Sequence, residues 1–124
     1  MSLKLKNTLK DRDMEDCLFC KIIKGDIPST KVYEDELVYA FRDINPRAPV
    51  HVLVVPKKHI STLNDLQDED ELLMGHIALT TKKIAEAEGI AGSGYRTVFN
   101  CGKDGRQMVM HIHCHVLGGK LLHE

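Results

Sequence analysis

The stretch Met110-His111-Ile112-His113-Cys114-His115-Val116-Leu117-Gly118-Gly119 alternates histidine with apolar or small residues and closes on a double glycine. Successive side chains of a β-strand point to opposite faces, so this spacing predicts a strand with His111, His113 and His115 on one face. Ile112, Cys114 and Val116 then face the packed side. A helix would scatter the three imidazoles around its circumference. Two chemistries suit such a row. Neighbouring imidazoles can chelate a metal, but His111 and His115 stand roughly 13 Å apart at Cα on a straight strand, against a metal–nitrogen bond of about 2 Å, so all three barely converge on one ion. The other chemistry is nucleophilic: an attacking imidazole flanked by groups that bind or protonate what is transferred. A third reading, a polar face that merely meets water, leaves the alternation unexplained.

Outward from this strand, Tyr95-Arg96-Thr97-Val98-Phe99-Asn100 reads as a second strand, joined to it by a glycine-bearing loop from Cys101 to Arg106. The longest helix is expected to start near Asp68, with Glu71 at capping-box spacing. Leu73, Ile77 and Ile84 form its buried stripe, Leu72 and Leu79 lie beside it, and Gly89 ends it. Ser61 to Leu66 reads as one helical turn. Val50 to Pro56 is apolar on both faces and reads as a central strand. Lys31 to Glu34 and Leu37 to Arg42, split by Asp35-Glu36, read as a hairpin, followed by a loop with Pro46 and Pro49. Cys17 to Lys24 has helical spacing, with Gly25 as its stop. Residues 1–13 read as a polar, lysine-rich arm and 14–124 as the domain. The pattern predicts an α+β fold with a mostly antiparallel sheet.

The chain has 124 residues, with 17 Lys and Arg against 18 Asp and Glu, which fits one domain without the broad basic face that tracks nucleic acid. No apolar run reaches the length of a membrane span, and the first residues lack a secretory core. A cytoplasmic chain is expected, with Cys17, Cys20, Cys101 and Cys114 as thiols or metal ligands rather than disulfides. Cys114 and Cys101 are expected to pack, and His59 and His76 to sit at the surface or against the helix. Cys17-x-x-Cys20 has zinc-knuckle spacing but supplies half a site; its alternative is a pair of thiols on a short helix.

His-Ile-His-Cys-His-Val-Leu resembles the pattern that names the histidine triad family. Phe19 with Lys21-Ile22-Ile23, Ile27-Pro28, Asp43-Ile44, Ala48-Pro49-Val50-His51, Pro56-Lys57-Lys58-His59-Ile60 and Leu117-Gly118-Gly119 extend the likeness to the Hint-type branch across nearly the whole domain. The resemblance implies a five-stranded antiparallel sheet with one long helix and a short N-terminal one, continued across a homodimer. It implies binding of purine nucleoside monophosphates and hydrolysis of purine nucleoside phosphoramidates through a nucleotidyl-histidine. The alternatives are a nucleotide-binding regulatory dimer with little turnover and a dinucleoside polyphosphate hydrolase.

Carried over by position, His113 is the nucleophile and His115 contacts the phosphate and supports the leaving group. Asp43 and Ile44 hold ribose and base, and Asn100 with Arg106, Gln107 and Met108 lies beside the phosphate. Asp43 taken alone reads as a turn aspartate. In bacterial relatives the cysteine pair is completed by two histidines, which here correspond to His51 and His111, giving a structural zinc site of Cys17, Cys20, His51 and His111. The proposed chemistry itself needs no metal. It needs a neutral nucleophile, which an imidazole of pKa about 6.5 provides at pH 7, with one ring nitrogen held protonated by an acceptor such as a carbonyl. The likeness departs at Arg106, where relatives carry glycine, at Met108, where they carry serine or an acid, at Met110, where tyrosine is common, and in a tail without tryptophan.

Overall fold

In the computed structural model, residues 16–124 are described; the expected arm over residues 1–13 lies outside them. Helix α1, Leu18–Lys24, ends where Gly25 enters the left-handed region at φ 89° and its N–H caps Ile22 and Lys21. Strands β1 (Lys31–Glu34), β2 (Val38–Arg42) and β3 (Val50–Pro56) follow. Short 3₁₀ turns at Leu63–Asp65 and Asp68–Asp70 lead into the long helix α2, Glu71–Ala87. Strands β4 (Tyr95–Phe99) and β5 (Cys114–Gly118) complete one five-stranded sheet in the order β1-β2-β3-β5-β4, antiparallel throughout. The expected α+β architecture is the one observed.

The sheet is covered on both faces. Val38, Ala40, Val52, Val54, Cys114 and Val116 pack against Ile77, Ile84 and Ala85 of α2. Tyr39, Phe41, Leu53 and Val55 pack against Phe19, Cys20 and Ile22 of α1 and its N-cap Cys17. Val50, Val52 and Val54 of β3 thus meet one layer and Leu53 and Val55 the other, which is why the strand is apolar on both faces apart from His51. Two helix expectations need correction. Helix α2 begins at Glu71 rather than near Asp68, because the Asp70 carboxylate takes the Gln67 N–H at 2.9 Å and Lys58 Nζ at 2.6 Å, fixing a tighter turn first. Leu72 and Leu79 face solvent, while Thr80, Thr81 and Ala85 share the buried stripe.

The histidine row also bends. Regular pairing of β5 begins only at Cys114; just upstream, the Ile112 N–H bonds to the Ile60 carbonyl beyond the end of β3. His111 and His113 therefore precede the strand, and the three rings do not lie along one straight face. All three are buried, with Cys114 and Val116 on the α2 side as expected.

Candidate active site

Register places the third imidazole of the row and His51. Leu53 and Val98 pair with His115, and His51 pairs with Leu117. Residues directly opposite in antiparallel strands share a face, so His51 and His115 lie diagonally on the face under α1. Phe19 of α1 stands edge-on to His113, with ring centroids 5.0 Å apart, and the His113 and His115 rings are also 5.0 Å apart.

His113 Nδ1 lies 2.8 Å from the carbonyl oxygen of His111. A carbonyl only accepts, so Nδ1 holds the proton and Nε2 is left with its lone pair. Neither His113 Nε2 nor His115 Nε2 has a protein partner among the described residues, and no fully buried side-chain nitrogen there lacks one. Both nitrogens must therefore open onto the surface. Burial lowers the pKa of His113, against the His111 carbonyl and Asp43, which raise it. Burial first, then His113, His51 and Arg47, bring His115 down to about 4. Both rings are neutral at pH 7, as an attacking imidazole requires.

Asp43 follows β2. One carboxylate oxygen accepts the Asn45 N–H at 2.8 Å, the turn role expected of it alone, and the other lies 3.4 Å from His51 Nε2. Ile44, next in the chain, is 90% exposed and offers free apolar surface. Asn100 borders a cavity of about 340 Å³ with Arg47, Arg96, Val98 and Leu117. The loop residues behave differently from one another. Gln107 is buried and its amide is used within the protein: Nε2 donates to Ser61 and Val109 carbonyls, and Oε1 accepts the Gly102 N–H. Its side chain closes the loop instead of facing a ligand. Arg106 is exposed with φ 63°, and Met108 lines a cavity on the cysteine side with Cys17, Leu18 and His59.

The metal ligands expected from sequence separate. Cys17, Cys20 and His111 come together, but the fourth member is His59, and His51 lies with Asp43 and His115 instead. His51 sits inside β3, opposite Leu117, whereas His111 precedes β5 and swings toward the far end of β3, where His59 follows Pro56. The expectation that His59 is a surface or packing residue is corrected with it.

The four donors fit one ion. A tetrahedral zinc with sulfur at about 2.3 Å and nitrogen at about 2.0 Å separates its ligands by about 3.3 Å (N···N) and about 3.5 Å (S···N). Here His59 Nδ1 to His111 Nδ1 is 3.2 Å, Cys17 Sγ to His111 Nδ1 3.3 Å, Cys20 Sγ to His59 Nδ1 3.4 Å, and Cys20 Sγ to His111 Nδ1 3.6 Å. His111 Nε2 donates to the Pro56 carbonyl at 2.8 Å and His59 Nε2 is 3.3 Å from Ser61 Oγ, so both inner nitrogens can present lone pairs. Burial raises the Cys20 thiol to about 12, so a thiolate there needs a cation beside it.

A family model described as "HIT domain" matches residues 24–121. A purine nucleoside phosphoramidase of Escherichia coli (strain K12) is 50% identical over 108 residues, covering 87% of this chain and 91% of that protein. Among solved structures, a HIT family hydrolase from Legionella pneumophila Philadelphia 1 superposes with a TM-score of 0.84 at 54% identity, covering 86% of this chain and 95% of that one. A histidine triad protein from Clostridium difficile gives 0.86 at 52% identity, covering 88% and 95%.

Proposed function

The chain belongs to the HIT domain family, and from that membership and the disposition of its histidines we propose that it hydrolyses purine nucleoside 5′-phosphoramidates by way of a nucleotidyl group on His113. The observation that carries the reading is the 2.8 Å bond from His113 Nδ1 to the His111 carbonyl, which leaves Nε2 as a neutral, outward nucleophile. Attack by Nε2 on phosphorus displaces the amine, and water then resolves the phosphorus–nitrogen bond to His113. Splitting one displacement into two gives each a good entering or leaving group. The second oxygen of Asp43 and the exposed Ile44 suit ribose hydroxyls and base, Asn100 and loop amides suit the phosphate, and Gln107 serves by holding the loop.

Cys17, Cys20, His59 and His111 hold a structural zinc that clips α1 to the end of β3; no step of the reaction runs through it. A second copy pairs through the free edge of β4. The opposite edge, β1, is blunted by an irregularity between Lys31 and Tyr33 and by charged ends. No helix among the described residues is long and apolar enough to cross a membrane, and four free cysteines suit the reducing cytoplasm. Incubation with an adenosine 5′-phosphoramidate should release AMP. His113→Ala should abolish release while AMP still binds; binding by the parent chain with no release would refute the proposal.

A further inference from the structure

The main-chain N–H of Arg47 donates to His51 Nδ1 at 3.1 Å. A nitrogen accepting that bond has no proton, so the neutral ring carries its proton on Nε2. His51 Nε2 stands 2.9 Å from His115 Nδ1 and 3.4 Å from Asp43 Oδ2. The one proton between the two rings must sit on His51, because placing it on His115 Nδ1 would reduce His51 to an imidazolate. His115 Nδ1 is therefore the acceptor, and the proton of His115 is on Nε2, the nitrogen that faces outward.

We infer that His115 works as a neutral hydrogen-bond donor, held in one tautomer by the Arg47 amide acting through His51, and that it keeps its proton throughout the reaction. An imidazolium at His115 would set its Nδ1–H against the His51 Nε2–H across 2.9 Å, donor against donor. The surroundings agree. Burial, His113, His51 and Arg47 all oppose a charge on His115, and only Asp43 favours one. The two active rings then present opposite forms of the same nitrogen, a lone pair on His113 Nε2 and an N–H on His115 Nε2. The lock also tells against a metal on Asp43, His51 and His115, since coordination through His51 Nε2 would move the proton to Nδ1, where the Arg47 N–H points.

The inference rests on the phosphoramidase reading and deepens it. In the first step the His113 Nε2 lone pair forms a bond to phosphorus and the phosphorus–amine bond breaks. Its electron pair stays on the amine nitrogen, which takes a proton from water. His115 Nε2–H meets the charge on a phosphoryl oxygen and is not consumed. In the second step a water oxygen bonds to phosphorus, the bond to His113 breaks with its pair returning to Nε2, and the water's proton passes to the hydroxide left by the first. His51 is a positioning residue.

Two measurements test this. In the full chain with ¹⁵N-labelled histidine, the His115 resonances at pH 7 should report Nδ1 bare and Nε2 protonated; a proton on Nδ1 overturns the inference. That readout needs no substrate, so it decides the point even if the chain cleaves no phosphoramidate, which would sink the proposed function alone. Kinetically, His115→Leu should lower kcat on an adenosine 5′-phosphoramidate by about 10²–10³-fold, the cost of one lost donor to developing charge. His115→Gln, a neutral donor that cannot relay a proton, should be at least about tenfold faster than His115→Leu. A glutamine variant as slow as the leucine one overturns it. His51→Leu should leave His115 with mixed tautomer signals; an unchanged single tautomer also overturns it.

Discussion

Arg106 holds φ 63° at the end of a loop, where L-residues are strained by about 1–2 kcal/mol and glycine is not. Glycine gives back part of that through its freedom in the unfolded chain. Arg106→Gly should therefore raise stability by about 0.5–1 kcal/mol, read as a higher urea midpoint; an unchanged or lower midpoint contradicts the strain. The sequence marked this position as a departure from its relatives, and the backbone supplies the physical meaning of the departure. Gln107, its neighbour, was not legible in the same way, because only the folded loop shows its amide spent on Ser61, Val109 and Gly102. A second residue-scale consequence concerns acid. His115 is depressed to about 4 in the folded chain, against about 6.5 unfolded. Between those values the unfolded chain binds more protons, so the stability is fully present above pH 6.5 and drains away as pH falls toward 4. Denaturant midpoints should drop from pH 7 to pH 4.5, and less steeply in His115→Gln; a flat profile in the parent chain counts against the buried neutral ring.

At the scale of elements, most strands and both helices could be read from periodicity, because β3 is apolar on both faces and Gly25 closes α1 as spacing suggests. The path of the histidine row could not. Whether a histidine joins the cysteines or lies with Asp43 and His115 depends on strand register and on where a chain leaves the sheet. Spacing carries neither. His51 and His59 lie eight positions apart, yet Leu117 faces one while His111 has already left the sheet for the other. The pairing of His59 with the cysteines makes a direct prediction for α1. A metal at 100 times its dissociation constant adds about 2.7 kcal/mol, which at this length shifts the melting temperature by roughly 10 °C. Purified chain should hold one zinc, and stripping it with a chelator, or Cys20→Ser, should lower the melting temperature by about that much. His51→Ala should leave the zinc in place. A chain that binds no zinc, or loses it with His51 rather than His59, contradicts the assignment.

For the whole molecule, the sheet order puts the α1 face, with its imidazoles, beside β4, whose outer edge is unpaired among the described residues. Pairing of two copies there would bring each site near the other. Light scattering on a sizing column should give twice the chain mass; a monomer at micromolar concentration refutes that edge as an interface. The α+β class and the antiparallel sheet follow from the alternation of short strands with one long periodic helix. The roles proposed for His113 and His115 came from resemblance to the family, whereas their tautomers required the carbonyl of His111 and the amide of Arg47 in place. The proposed reaction turns on covalent transfer to one nitrogen. Rapid acid-free quenching of the chain with an adenosine 5′-phosphoramidate, followed by peptide mass spectrometry, should find an adenylyl group on His113 alone. An adduct on another residue, or AMP released with none formed on that ring, would contradict it.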